Sequence, residues 1–506
     1  MGKLDETEYW VPDHVREYLK GLGFHLPLES MEGHIRAWHS WLGATGDFYD
    51  YHDRDGFGRV YEVHRRSIHP AMRVCNEWGS LLLNDKTQVV CDSQECTDWL
   101  SDFFKDTGFM PQAQNTVVRA FGMGTGAWAL WIDADARKVR IRHYDARMVI
   151  PLTWDEEGVS ECAFVTRVFY RGKAVDQLQM HLKGGLALDD DGRAVPSEPS
   201  PSHGNAESAS PSIGGGSVAS PSQSEPGQTY HIVTACFDEA GELVEPVGVC
   251  ADYDTGCPHP TFSIVKPAVD NTRVDMSPYG QSVFADAIDA IQAVDLTFDA
   301  LVGEVDAGKM HVFLSDVMFD KDTDGKGKRV SIPFGKNDCT VFRKVMSTED
   351  MVQEFAPALR TAEQAEAFRI ALQMLGDLTG FGADYFDLDE SRGFVKTATE
   401  VASDNSQLMR TIAKHEHALE HSTAQISRAL LHVARGFGEA LPEEGSVRVE
   451  FDDSIISDTA ALKAQDMAEV GVTLAPWEYR VRWYGESEQQ ARERAAELGT
   501  APRSGE

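Results

Sequence analysis

The chain has 506 residues, with 81 Asp and Glu against 47 Lys and Arg, a formal net charge of -34. Its 42% hydrophobic and 9% aromatic content can fill sizeable cores, which excludes wholesale disorder, and its length suits about three domains. The negative balance opposes ordinary DNA binding, in which cationic side chains neutralise phosphates.

No apolar run approaches the roughly 18 residues of a membrane-spanning helix, and the opening MGKLDETE lacks a signal's basic start and apolar stretch. Eight cysteines (75, 91, 96, 162, 236, 250, 257 and 339) include no C-x-x-C pair, so buried free thiols in a reducing compartment are expected. The chain reads as soluble, acidic and intracellular, bound to no membrane.

Residues 1–60 are aromatic-rich, with a short helical pattern near 15–22. Val63–Leu83 has helical periodicity, with Pro70 kinking or opening its main segment. Helices are expected at 93–104 and 112–121. Strands follow at 128–132, 139–144, 148–154, 162–170 and 178–182, so 60–270 reads as one α+β domain. Between Pro196 and Gln228, 21 of 33 residues are Pro, Ser or Gly. Such a segment buries too little to offset its ordering entropy. Because strand character resumes at 229–237, this insertion is expected inside a hairpin.

From Ser277 the character changes. Tyr279–Asp306 carries apolar residues at three- and four-residue steps, which predicts a helix of about 42 Å. From Val274 to Gly308 there is no Lys, Arg or His, while Asp275, Asp286, Asp289, Asp295, Asp299, Glu304 and Asp306 are present. Solvated helices ordinarily mix signs, so this one is expected to expose an unrelieved negative field. Next comes a small β unit, 309–345, with strands at 310–314, 329–333 and 339–345. A helix at 364–378 stops at Gly380 and Gly382, and a polar loop, 383–396, follows. Thr397 and Glu400 have capping-box spacing and open a helix to about Arg435, roughly 58 Å long. The tail has one strand-like run, 446–451, and a helical, charge-rich end.

Three motifs invite chemistry. His417-Ala-Leu-Glu420-His421 puts two imidazoles on one helical face, where they could grip zinc with Glu420 as base. A zinc-dependent hydrolase is therefore the alternative function, but no third ligand declares itself. Asp320, Asp322 and Asp324 resemble half a calcium loop. Ser331 stands where the bidentate Glu is needed and Lys326 and Lys328 intrude, so a polar hairpin turn is favoured. Gly122-Met-Gly124-Thr-Gly126 lies between helix and strand, the reverse of a phosphate loop, and reads as a tight turn. No nucleophile elbow appears; the chain is read as non-enzymatic and without cofactors.

Four strings, IHPAMRVCNEWGSLLLND (68–85), GTGAWALWIDADARKVRIRHYDARMVIP (124–151), SPYGQSVFADAI (277–288) and LTGFGADYFDLDESRGFVKTATEVAS (378–403), carry a further likeness. In their order the chain resembles the portal, or head-to-tail connector, proteins of tailed bacteriophages, in the siphophage branch. That resemblance implies an α+β portal fold and a homo-oligomeric ring, typically of twelve subunits, at one capsid vertex of the virion. The ring would be assembled in the infected bacterial cytoplasm. Double-stranded DNA would pass through it during packaging and ejection. The terminase large subunit and later a head-completion adaptor would dock on it, among major capsid and scaffolding proteins.

Carried onto this sequence, 1–270 resembles the wing, 271–308 and 346–382 the stem helices, and 309–345 the clip. Asp320, Asp322, Asp324, Lys326 and Lys328 would then dock partners. The tunnel loop would be 383–396, offering Asp384, Tyr385, Asp387, Asp389, Glu390, Arg392 and Lys396 to the channel. A long, kinked wing helix (397–438) and a mainly helical crown (439–506) complete the scheme. The acidic stem, with Asp286, Asp289, Asp295, Asp299, Glu304 and Asp306, would repel phosphate and keep DNA from sticking.

Overall fold

The computed structural model describes residues 9–54, 58–84, 86–133, 138–170, 172–188, 194–196, 229–246, 249, 251–308, 311–315, 322–323, 329–330, 341–344, 352–355, 359–386, 406–443, 445–451, 463, 466–471, 473–484 and 486–500. The fold is α+β and divides into two compact units. One comprises Met1–Glu32, Glu77–Gln281 and Ser391–Glu506; the other comprises Gly33–Asn76 and Ser282–Glu390. The sequence suggested a boundary near 270 with everything before it together. The structure instead assigns 33–76 to the second unit.

In the first unit Val149–Asp155, Gly158–Tyr170, Lys173–Lys183 and Tyr230–Phe237 form an antiparallel meander. Leu243–Val244 and Asp252–Asp254 both pair with its last strand. Lys183 pairs directly with Tyr230, so the Pro/Ser/Gly-rich segment does lie between hairpin partners. A second sheet orders Phe262–Val265, Gly126–Asp133 and Lys138–Asp145. Its central strand is buried almost throughout, which is why Ala127, Ala129 and Leu130 run with little polar alternation. Phe164, Tyr144, Val149, Tyr230 and Phe262 join the two sheets in one core.

Helices cover the second sheet. Gln94–Thr107 ends at Gly108, whose φ of 62° reverses the chain into Phe109–Met123. The long helix Ser406–Gly436 has 31 residues, about 46 Å, and lies along Phe262–Val265, where Ser422 Oγ donates to the Ile264 carbonyl at 2.8 Å. The expected capping box, Thr397 and Glu400, lies outside the described residues. The strand expected near 446–451 is Val447–Glu450, and it pairs with Gln88–Cys91. Helices Pro476–Tyr484 and Glu488–Thr500 follow, as the charge-rich end suggested.

In the second unit Asp50–Arg54 pairs with Val60–His64. Of the two roles expected for Pro70, it opens the helix, Pro70–Leu82, because a proline disfavours helical backbone in the residue before it. His69 adopts a φ of 52°. The acidic helix is Ile288–Ala307, 20 residues and about 30 Å, shorter than expected. Residues 279–287 are irregular, with a turn at 283–286, since tertiary contacts override their helical periodicity. Within the first unit Tyr279 Oη donates to the Val149 carbonyl at 2.6 Å and the Gly280 amide donates to Thr125 Oγ1 at 3.0 Å.

The strands beyond it, His311–Ser315, Val341–Lys344 and Val352–Phe355, form a small sheet, and Asp322–Thr323 pairs separately with Arg329–Val330. Helix Thr361–Leu378 closes as Gly380 foretold. Gly380 has a φ of 87°, the Phe381 amide donates to the Gly376 carbonyl and the Gly380 amide to that of Asp377. Cys75, Cys91, Cys96, Cys162, Cys236 and Cys257 are buried free thiols. Among the described residues no helix is long and apolar enough to cross a membrane.

Candidate functional site

The acidic helix does not carry its charges alike. Asp295 is fully buried. Its Oδ2 accepts from Tyr49 Oη and Ser67 Oγ, each at 2.7 Å, and its Oδ1 accepts from the Ile68 amide at 3.1 Å. Burial and this carboxylate together drive the Tyr49 phenol far above its usual range. Asp295 therefore anchors 49–68 and presents no charge to solvent. The sequence placed it with the other stem acids because partners more than 200 residues away leave no local signal.

Two further acids meet cations from outside the helix. Arg66 Nη1 approaches Asp299 at 3.5 Å. Arg360 grips Glu304 with its backbone amide at 3.1 Å, Nε at 3.2 Å and Nη2 at 2.9 Å. Those hydrogen bonds hold the Glu304 carboxyl below the usual carboxylate range. Glu304 sits in the last turn of its own helix, where a negative charge opposes the dipole. It also reaches the start of Thr361–Leu378, where the dipole favours it. With Phe298 against Phe368, 6.3 Å between centroids, the pairing makes the two helices antiparallel. The expectation of an unrelieved negative field is thus corrected: the helix lacks cations, but its neighbours supply them. Asp289 is exposed on the helix and Asp286 is exposed just before it begins, and the side chain of Asp306 lies outside the described residues.

Helix Thr361–Leu378 buries Ala371, Leu372 and Leu375, yet also exposes Ile370, Met374 and Leu378, at 46, 53 and 50%. Steps of four put these three on one face. At its end Phe381, Tyr385 and Phe386 cluster with centroids 4.7 to 5.2 Å apart, and the Arg73 guanidinium stands 5.3 Å from the Phe386 ring. The root of the polar loop is thereby fixed, with Asp384 and Tyr385 exposed. Asp387, Asp389, Glu390, Arg392 and Lys396 lie outside the described residues. So do Asp320, Asp324, Lys326 and Lys328; Asp322 is described only as strand backbone.

The remaining motifs resolve as structure. Gly124, at a φ of 84°, ends helix Phe109–Met123, and Gly126 opens the next strand. His417 and His421 are exposed on the long helix, and among the described residues no group of three His, Cys, Asp or Glu could hold a metal ion. Among the described residues the zinc-hydrolase reading finds no third ligand.

His421 belongs to something the sequence reading missed. In the first unit it lines a cleft of about 430 Å³ with Lys266, His259, Gln425 and Arg428. His421, Gln425 and Arg428 follow an i, i+4, i+7 spacing, which was the legible signal for a shared face. Burial lowers the Lys266 pKa to about 8.

No family model matches the chain, and no curated protein does. Among solved structures it is similar to the neck of an empty GTA particle computed with C6 symmetry, at 9% identity over 81% of this chain and 88% of that one, with a TM-score of 0.37. It is similar also to the virion of a native gene transfer agent particle and to the neck of a native GTA particle computed with C12 symmetry. Each of these gives 12% identity over 81% of this chain and 89% of that one, with a TM-score of 0.34. Likeness at this level carries no functional conclusion.

Proposed function

We propose that the chain is a structural subunit of a ring-shaped conduit, a non-enzymatic part of a phage-like particle. More particularly, it is read as a portal protein of a tailed bacteriophage. The observation that carries this is the antiparallel pair Ile288–Ala307 and Thr361–Leu378. One member bears only acids, and the other exposes Ile370, Met374 and Leu378. A head-to-tail ring would cover the apolar stripe against a different face of the next subunit. The exposed acids, Asp286 and Asp289 among them, would repel DNA phosphate along the bore. The order of the four sequence strings supports the same reading.

In this reading residues 309–345 form the clip that receives the terminase large subunit and then a head-completion adaptor. Residues 383–396 form the tunnel loop, rooted on the Phe381 aromatic cluster, and 439–506 the crown. Electron microscopy of the purified protein tests it. Rings with a through-channel are expected, about twelve subunits each; protein that stays monomeric at high concentration overturns it.

A further inference from the structure

The cleft around Lys266 gathers two cations and two carboxylates. Lys266 and Arg428 both line it, with His259 and His421 beside them. Among the described residues no carboxylate pairs with either Lys266 or Arg428. Arg428 Nε is buried without a hydrogen-bond partner in the structure. A buried donor left unmade costs about 1–3 kcal/mol, so such a group calls for an acceptor. Asp155 and Glu157 also line the cleft, but both are exposed to water, which screens their charge, and Asp155 Oδ1 accepts the Glu157 and Gly158 amides, at 2.9 and 3.1 Å.

We infer that this cleft binds a phosphate group. Two fixed cations match a dianion better than the single charge of a carboxylate. The guanidinium plane suits paired oxygens, and Gln425 adds a neutral donor. The volume lies within the range of small-molecule sites and leaves room for whatever carries the phosphate. Burial lowers the Lys266 pKa without removing its proton at neutral pH, and a bound anion would raise it again. The inference is independent of ring assembly.

Calorimetric titration of the full chain with inorganic phosphate, and separately with deoxyadenosine monophosphate, tests it at constant ionic strength set by chloride. Saturable binding of at least one is expected. Equal affinities identify the bare phosphate group as the ligand, and a tighter monophosphate identifies a nucleotide. Arg428→Gln and Lys266→Met should each weaken binding at least about tenfold. His421→Ala, at an exposed position, should weaken it less and reports on the site even where a buried variant fails to fold. Phosphate response no greater than chloride in the unmodified protein overturns the inference. So does binding that survives unchanged in every variant that folds.

Discussion

Gly124 and Gly280 meet backbone to backbone: a Cβ on Gly124 would stand 2.5 Å from the Gly280 carbonyl oxygen, and one on Gly280 would crowd the Gly124 carbonyl in return. The two belong to sequence strings more than 150 residues apart, and the Gly280 amide is held by Thr125 beside the same contact. Neither clash can be relieved by rotating a side chain, because both partners are main chain. Gly280→Ala should therefore destabilise the protein by about 2–3 kcal/mol, in the range of overpacked cores. Denaturant titration checks it. Gly303→Ala, whose Cβ would meet nothing within 4 Å, should be neutral or slightly stabilising as a helical replacement.

Asp295 offers a sharper contrast within one helix. Asp295→Ala leaves the Tyr49 and Ser67 hydroxyls and the Ile68 amide without their acceptor. A loss of about 3–5 kcal/mol is expected. Asp289→Ala, exposed on the same helix, should change stability by no more than about 0.5 kcal/mol. Equal effects in urea unfolding would show that Asp295 is not the anchor described.

Acid should weaken the first unit through buried imidazoles. Burial lowers the pKa of His143 and His415 to about 4 and of His181 to about 3, from 6.5. His415 Nδ1 accepts the Ala268 amide at 3.0 Å between the rings of Trp78 and Phe121, which leaves a proton nowhere to go. These groups stay neutral when folded and protonate near 6.5 when unfolded. Their contribution is complete above that value and is lost as pH falls from 6.5 towards 4. Within that window each should add about 1.4 kcal/mol per pH unit to the slope of stability. His415→Gln should flatten the measured slope by one such increment.

The stripe on Thr361–Leu378 tests assembly directly. Ile370→Ser with Met374→Ser replaces exposed apolar surface and should leave the fold intact. If these residues pack between subunits, sedimentation velocity will show the ring replaced by monomers or small oligomers. An undiminished ring would move the lateral contact elsewhere.

Charge in the proposed bore has its own readout. Asp286→Lys with Asp289→Lys should give assembled particles that retain double-stranded DNA with a strong salt dependence, where the unmodified ring retains little. Retention that does not change would take these two acids off the channel wall.

Much of the secondary structure was legible because periodicity and turn chemistry act locally. Pro70, Gly108 and Gly380 set helix ends where their backbone preferences put them. The start of the acidic helix was not legible. Tyr279 and Gly280 sit in a good helical pattern, but Val149 and Thr125, far away in sequence, and the nearby Asn271 and Ser277 hold them out of it. The same holds for charge. Composition identified a cation-free helix, but Arg66 and Arg360 come to it from distant segments. The cleft of Lys266 and Arg428 escaped notice because its cations are divided between a loop and a helix.

The pairing of Lys183 with Tyr230 gives the segment between them an engineering use. Chain departs and returns at adjacent positions of a sheet that is hydrogen-bonded on its own account. Added length there costs only loop-closure entropy, roughly 0.6 kcal/mol for each doubling. The hairpin is thus a natural attachment point for foreign cargo, such as an epitope or a fluorescent domain. If the subunits close into a ring, one insertion in the gene would display the cargo once per subunit, at a spacing set by the particle's own symmetry.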